Sequence, residues 1–351
     1  MEMMKNFIWI FIALFFWNCR HEPRKFIPVI DDIYVDFNVV RYDRYLAELD
    51  FKNPEHSYSE LRDSLPAFTY LYFHEILGLE GSDHWDQPDF YEQFRAFRED
   101  ERISFLLDTV TNIFGNDIQF FKNEFTTPFK LLKYYFPHFI PPNIYTIISE
   151  YAFQQFLFED EFGEGIGIGL DMFLGEDFPY QKIAPGNPAF SSYLTRTFNK
   201  DHIVRKSLEL ILDDLLEPPA GNRFIDIMIH HGKTLYVLEH VLPYAHDSIL
   251  LEYTTEQTQW VKENEIEIWA YFLNEQLFYE TDMVKINKYL FPGPHSPGMP
   301  EAAPGRTGNY IGWQIVKSFM NRNSEYTLAN LIQMSDAQKI LEDSRYKPRR
   351  K

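Results

Sequence analysis

The chain has 351 residues, 45% hydrophobic and 17% aromatic, with 33 Lys and Arg against 52 Asp and Glu, a formal charge of −19 and a single cysteine. That balance excludes a nucleic-acid surface, which needs clustered cations to displace the counterions of phosphate. A lone cysteine excludes a disulfide framework and a thiolate metal site, and a mean hydropathy of −0.33 with one apolar run excludes a polytopic membrane protein.

That run, Phe7 to Trp17 (FIWIFIALFFW), follows Lys5 and precedes Asn18 and Cys19. It falls well short of the roughly 20 apolar residues a spanning helix needs and reads as the core of a signal peptide over 1–18, with MKNFIW from Met4 as the cleaner charged start. The cysteine directly behind it is the expected lipidation site, although Phe16-Trp17-Asn18 lacks the small residues usual before a lipidated cysteine. Residues 19–38 are then a lipid-anchored tether and lead-in, and membrane attachment is through the lipid alone. The one basic cluster, Lys347, Arg349, Arg350 and Lys351, reads as a solvated terminus.

Over 39–142 apolar residues recur at helical spacing in 41–50, 65–77, 89–97 and 102–114, separated by Asn53-Pro54, Gly78 with Gly81, and Gly115-Asn116. From 143 the pattern changes. Ile144–Ser149, Phe153–Phe158 and Ile166–Phe173 are short β-branched or aromatic runs between turn signals, which predicts a small antiparallel sheet. Helices resume over Asp201–Leu216, with Asp201 as N-cap, and over Asn222–Leu242, each stopped by proline. A long helix is expected over Thr255–Phe278, with Thr254 as N-cap and Gln257 completing a capping box. The irregular Pro/Gly stretch Phe291–Gly308 leads into a helix over Tyr310–Met320. The expected fold class is α+β, a mostly helical single body with a small antiparallel sheet, in which 143–351 packs against 39–142.

The densest polar constellation lies on the 222–242 helix: His230, His231, Lys233, Tyr236, Glu239 and His240. A zinc peptidase helix needs two histidines four apart and a glutamate after the first to take a proton from bound water. Here His231 stands where that glutamate belongs and Thr234 where the second histidine belongs. The His74-Glu75 pair ends at Gly78 and reads as a helix end. Spacing alone therefore predicts no catalytic residue, no metal ligand and no cofactor. Lys233 with Glu239 or Glu265 is a candidate interior ion pair, and Arg306, behind a Pro-Gly turn, is placed to clamp a carboxylate.

The stretches IGIGLDMFLGEDFPYQ (166–181), FIDIMIHHGKTLYVLEHVLP (224–243), YTTEQTQWVKENEIEIWAYFLNEQLFYETD (253–282), APGRTGNYIGWQIVKSFM (303–320) and ILEDSRYKP (340–348) resemble the gliding motility-associated lipoprotein GldB family. The resemblance implies an envelope lipoprotein needed for gliding and associated with the machinery of type IX secretion, facing the periplasm from the inner or outer membrane, with envelope proteins as partners. It also implies a distant likeness of 143–351 to zinc peptidases, zincin-like but without an intact HExxH. In that likeness the Gly165–Phe173 strand edges the cleft, the His230 helix replaces the metal helix and Gly305–Val316 closes it. The remnant cleft would be lined by His230, His231, Lys233, Tyr236, Glu265, Trp269, Arg306 and Trp313. Three functions follow as expectations: a non-enzymatic motility component, a hydrolase with an atypical ligand set such as His230 and Glu265 plus one more group, or a peptide- or glycan-binding module using Arg306 and Trp313.

Overall fold

A computed structural model describes residues 27–50, 53–79 and 88–348. The signal peptide, Cys19, the turn at Gly81 and the tail residues Arg349, Arg350 and Lys351 lie outside the described residues.

The body is α+β and mostly helical, as the periodicity predicts, around a four-stranded sheet. Its strands are β1 (Val39–Arg41), β2 (Asn143–Ile147), β3 (Gln155–Asp160) and β4 (Gly163–Gly169), in the order β1-β2-β4-β3. The sheet is mixed, not antiparallel: β1 runs parallel to β2 and β2 to β4, and only the β3–β4 hairpin is antiparallel. Residues 39–142 are correspondingly not all helical, because β1 opens them and pairs Val39 with Ile144. Alternation of side chains says which face a residue takes but carries no strand direction, so the runs could be found and their pairing could not.

Asp160 turns the hairpin by accepting the amide of Phe162 at 2.8 Å, and Gly163 takes the positive φ the tight corner requires. The alternating glycines of β4 have a packing cause. Gly165 and Gly167 lie opposite Phe158 and Phe156, whose rings fill the space a Cβ would occupy. Glycine leaves a hole in a strand, and a cross-strand aromatic ring covers it. The same register puts β4 between β2 and β3, so it is an interior strand and not the rim of a cleft.

Arg41 ties the sheet to the helical region. Its guanidinium forms a buried pair with Asp43 at 2.8 Å and donates to the carbonyls of Gly115 and Asp117. Thr146 of β2 donates to the same Asp43 carboxylate. On the other side the Lys200–Leu215 helix covers β3, where the Gln155 amide donates to Ile203 O and Ser207 Oγ. That helix is capped by Asn199, two residues earlier than the expected Asp201. The 255–278 segment is broken too: Thr255–Glu263 has the predicted capping box, but Asn264 ends it by donating back to Trp260 O, and a second helix runs Glu265–Asn274.

The most extensive helix pair is Phe224–Val241, the central helix, against Thr307–Arg322. Their backbones touch. A Cβ on Gly232 would land on the Gly312 carbonyl and 2.8 Å from the Trp313 nitrogen, and one on Gly312 would land on the Met228 carbonyl. Each obstacle is main chain inside a packed core, which cannot swing away as a side chain does. Gly232→Ala and Gly312→Ala should therefore each destabilise the fold by about 1–3 kcal/mol or more. In an open helix the same change would stabilise by about 1 kcal/mol, so the sign measured by urea unfolding decides.

Candidate functional site

The residues predicted to line one cleft sit in four places around these two helices. Lys233, 2% exposed, turns away from its own helix and donates to Met334 O at 2.8 Å. Burial pulls its pKa down to about 8, with Glu217 opposing. Glu265 accepts the hydroxyl of Tyr310 at 3.1 Å on one oxygen and that of Tyr346 at 2.8 Å on the other. Trp269 packs edge-on to the same Tyr346 ring, 5.1 Å between centroids. Lys233, Glu265 and Trp269 thus hold the chain's own C-terminal segment.

Trp313 is fully buried and donates its indole N–H to Glu239 at 3.0 Å, while Lys317 reaches that carboxylate at 3.4 Å and lies 3.4 Å over the indole. Tyr236 packs against His240 with the rings tilted, 4.4 Å between centroids, and burial raises its hydroxyl to about 12. The expected pairing of Lys233 with Glu239 or Glu265 does not form, because each has found another partner.

Of the eight, His231 and Arg306 line a common hollow, together with Arg205, Glu209, Tyr253 and Asn309. Beside it lies a buried carboxylate that the sequence does not single out. Glu252, buried, ends the Asp247–Leu251 helix in a left-handed conformation with φ 54°, and Arg306 starts the Thr307–Arg322 helix with φ 60°. Such backbone in residues with side chains persists only where its surroundings hold it. Here the two are joined to each other, since the Arg306 guanidinium donates to the Glu252 carboxylate. Lys206 stands 2.6 Å from Glu252 and Arg205 3.6 Å. Arg205 also pairs with Glu209 and donates to Leu250 O. Arg196 donates to the Glu252 main-chain oxygen at 2.9 Å.

The Pro/Gly stretch that delivers Arg306 is internally tied. Ser296 donates to Pro304 O, bonds Thr307 at 2.8 Å, and Tyr253 donates to Gly305 O at 2.6 Å. Burial alone would push the Glu252 carboxyl up, but Arg205, Lys206 and Arg306 outweigh it and hold it well below the ordinary range. A sequence signal for Glu252 was lacking, because its partners span residues 196–306 and none has motif spacing.

His230 and His231 point apart, ring centroids 6.0 Å from each other. Thr234, at the second-histidine position of a metal helix, spends its hydroxyl on His230 O at 3.3 Å. Among the described residues no group of three or more His, Cys, Asp or Glu is arranged to hold a metal ion.

The class these features define is a helix-rich α+β domain whose interior polar groups are largely tied up in pairs with its own chain, with no helix among the described residues long and apolar enough to cross a membrane. Residues 23–348 match the family model described as gliding motility protein GldB, and the chain belongs to that family. It is accordingly a gliding-motility lipoprotein associated with the cell envelope. No curated protein and no solved structure matches it.

Two outcomes are expected from these charges. Glu252→Gln leaves three cations facing one another without their carboxylate, and should cost about 3–5 kcal/mol in urea unfolding. Burial is the main cause that keeps His202, His230 and His231 neutral down to about 4, against 6.5 for an exposed imidazole. The unfolded chain then binds more protons across that window, so their contribution is complete above 6.5 and is lost as pH falls towards 4. His230→Gln combined with His231→Gln should lose less stability over that window than the unaltered chain, compared by urea unfolding.

Proposed function

We propose that the chain is a non-enzymatic component of the gliding apparatus, held to the inner or outer membrane by a lipid on Cys19. Its domain faces the periplasm and docks other envelope proteins, including those that serve type IX secretion. The observation that carries this reading is the central helix of a GldB-family chain. The glutamate and second-histidine positions of a metal helix are filled by His231 and Thr234, and the Thr234 hydroxyl is bonded within the helix. The hydrolase alternative with a ligand set such as His230, Glu265 and one more group meets an obstacle, because both Glu265 oxygens are taken by tyrosine hydroxyls. A carboxylate so engaged would have to break two buried hydrogen bonds to turn to a metal.

Deletion of the gene should abolish colony spreading, and a copy carrying His230→Ala and His231→Ala should restore it. Failure to restore spreading with the double variant folded and as abundant as the original would return the hydrolase reading. Zinc analysis of the purified lipoprotein supplies the second measurement, and stoichiometric zinc bound by the folded protein would have the same effect.

A further inference from the structure

Around Glu252 the charges do not balance. Four cations, Arg196, Arg205, Lys206 and Arg306, meet two carboxylates, Glu252 and Glu209. Glu176 is felt by Arg196 and Asp213 by Arg205 only through space, and burial with Glu209 nearby raises Asp213 to about 6. This excess of positive charge sits inside a chain of formal charge −19.

Arg196 is the cation without a carboxylate of its own. Its Nη2 meets a neutral main-chain oxygen, and its Nε is buried with no partner among the described residues. An unpaired guanidinium N–H away from water carries the full desolvation penalty of a charged donor. The Arg196 side chain lines a small cleft together with Lys206, Arg306 and Glu252, walled by Tyr193, Leu194 and Pro292.

We propose that this cleft binds a carboxylate. The planar fork of an arginine matches a carboxylate in two parallel hydrogen bonds. One negative charge would answer Arg196, the cation that meets neither of the two carboxylates, whereas a second would stand beside Glu252 in the same wall. The apolar and aromatic rim suits an organic acid over a bare inorganic ion. A free small acid and the C-terminal end of a peptide present the same group. The site stands on geometry alone and does not depend on the motility reading.

The test is calorimetric titration of the full-length lipoprotein in detergent, at constant ionic strength, with acetate, phosphate, tri-alanine and tri-alanine amide. Tri-alanine should bind, its amide about tenfold more weakly or not at all, and phosphate more weakly than the free acid. Acetate equal to tri-alanine assigns a small free acid, and tri-alanine ahead of acetate assigns a peptide terminus; both uphold the carboxylate site. Arg196→Gln should weaken tri-alanine about tenfold with the unfolding midpoint little changed. Equal binding of acid and amide, binding of none of the acids, or preference for phosphate overturns the proposal. The acid and amide comparison needs no variant, so it decides even if Arg196→Gln fails to fold.

Discussion

Where the Phe224–Val241 and Thr307–Arg322 helices cross, Gly232 and Gly312 let one backbone rest on the other. That contact fixes the relative rotation and slide of the two helices to within a fraction of a turn, and the polar pairs between them inherit their geometry from it. Below the crossing, Trp313 meets Glu239. On the opposite side, Arg306 and Asn309 share a hollow with His231. Close packing transmits such a constraint because it has no slack to absorb a shift.

Glu252 is the second point on which distant parts of the chain depend. It receives cations from the Lys200–Leu215 helix and from the start of Thr307–Arg322, and its main-chain oxygen receives Arg196. Burying a charge of this kind gains little net stability over an apolar replacement, since desolvation consumes most of the attraction. What it supplies is placement: removing any one member leaves its partners charged and buried, so the native arrangement is strongly preferred over near alternatives. Two left-handed residues, Glu252 and Arg306, are tolerated within that arrangement.

The helical part of the fold was legible because its signals are local. The Thr254 and Gln257 capping box sits where the spacing puts it, and the run from Ile166 that overlaps β4 was recognisable as a strand. The break at Asn264 was not, since the apolar residues keep their period across it and only the Asn264 side chain returning to Trp260 O marks the end. β1 has three residues and acquires its identity from pairing with β2 about a hundred positions later. The site was legible in its residue types and not in its grouping. Side chains that share 3.6-residue spacing on one helix face different neighbours, and which neighbour is near depends on helices that no local pattern places.

The scattered fate of the predicted cleft has a common physical direction. Lys233 bonds Met334 O, Glu265 bonds Tyr346, Trp269 packs on that ring, and Ser318 donates to Ser344 O. Each is a strong donor, acceptor or aromatic surface of the kind that recognises a peptide, and each is satisfied by the segment from Leu328 to Tyr346. A ligand seeking the same groups would have to displace hydrogen bonds already made at full intramolecular advantage, with no ordering entropy left to lose. Arg196 is different because its Nη2 meets a neutral main-chain oxygen and its Nε has no partner among the described residues. An incoming carboxylate there would displace no side-chain partner of Arg196, so the proposed recognition lies beside Glu252 and not along the face of the central helix.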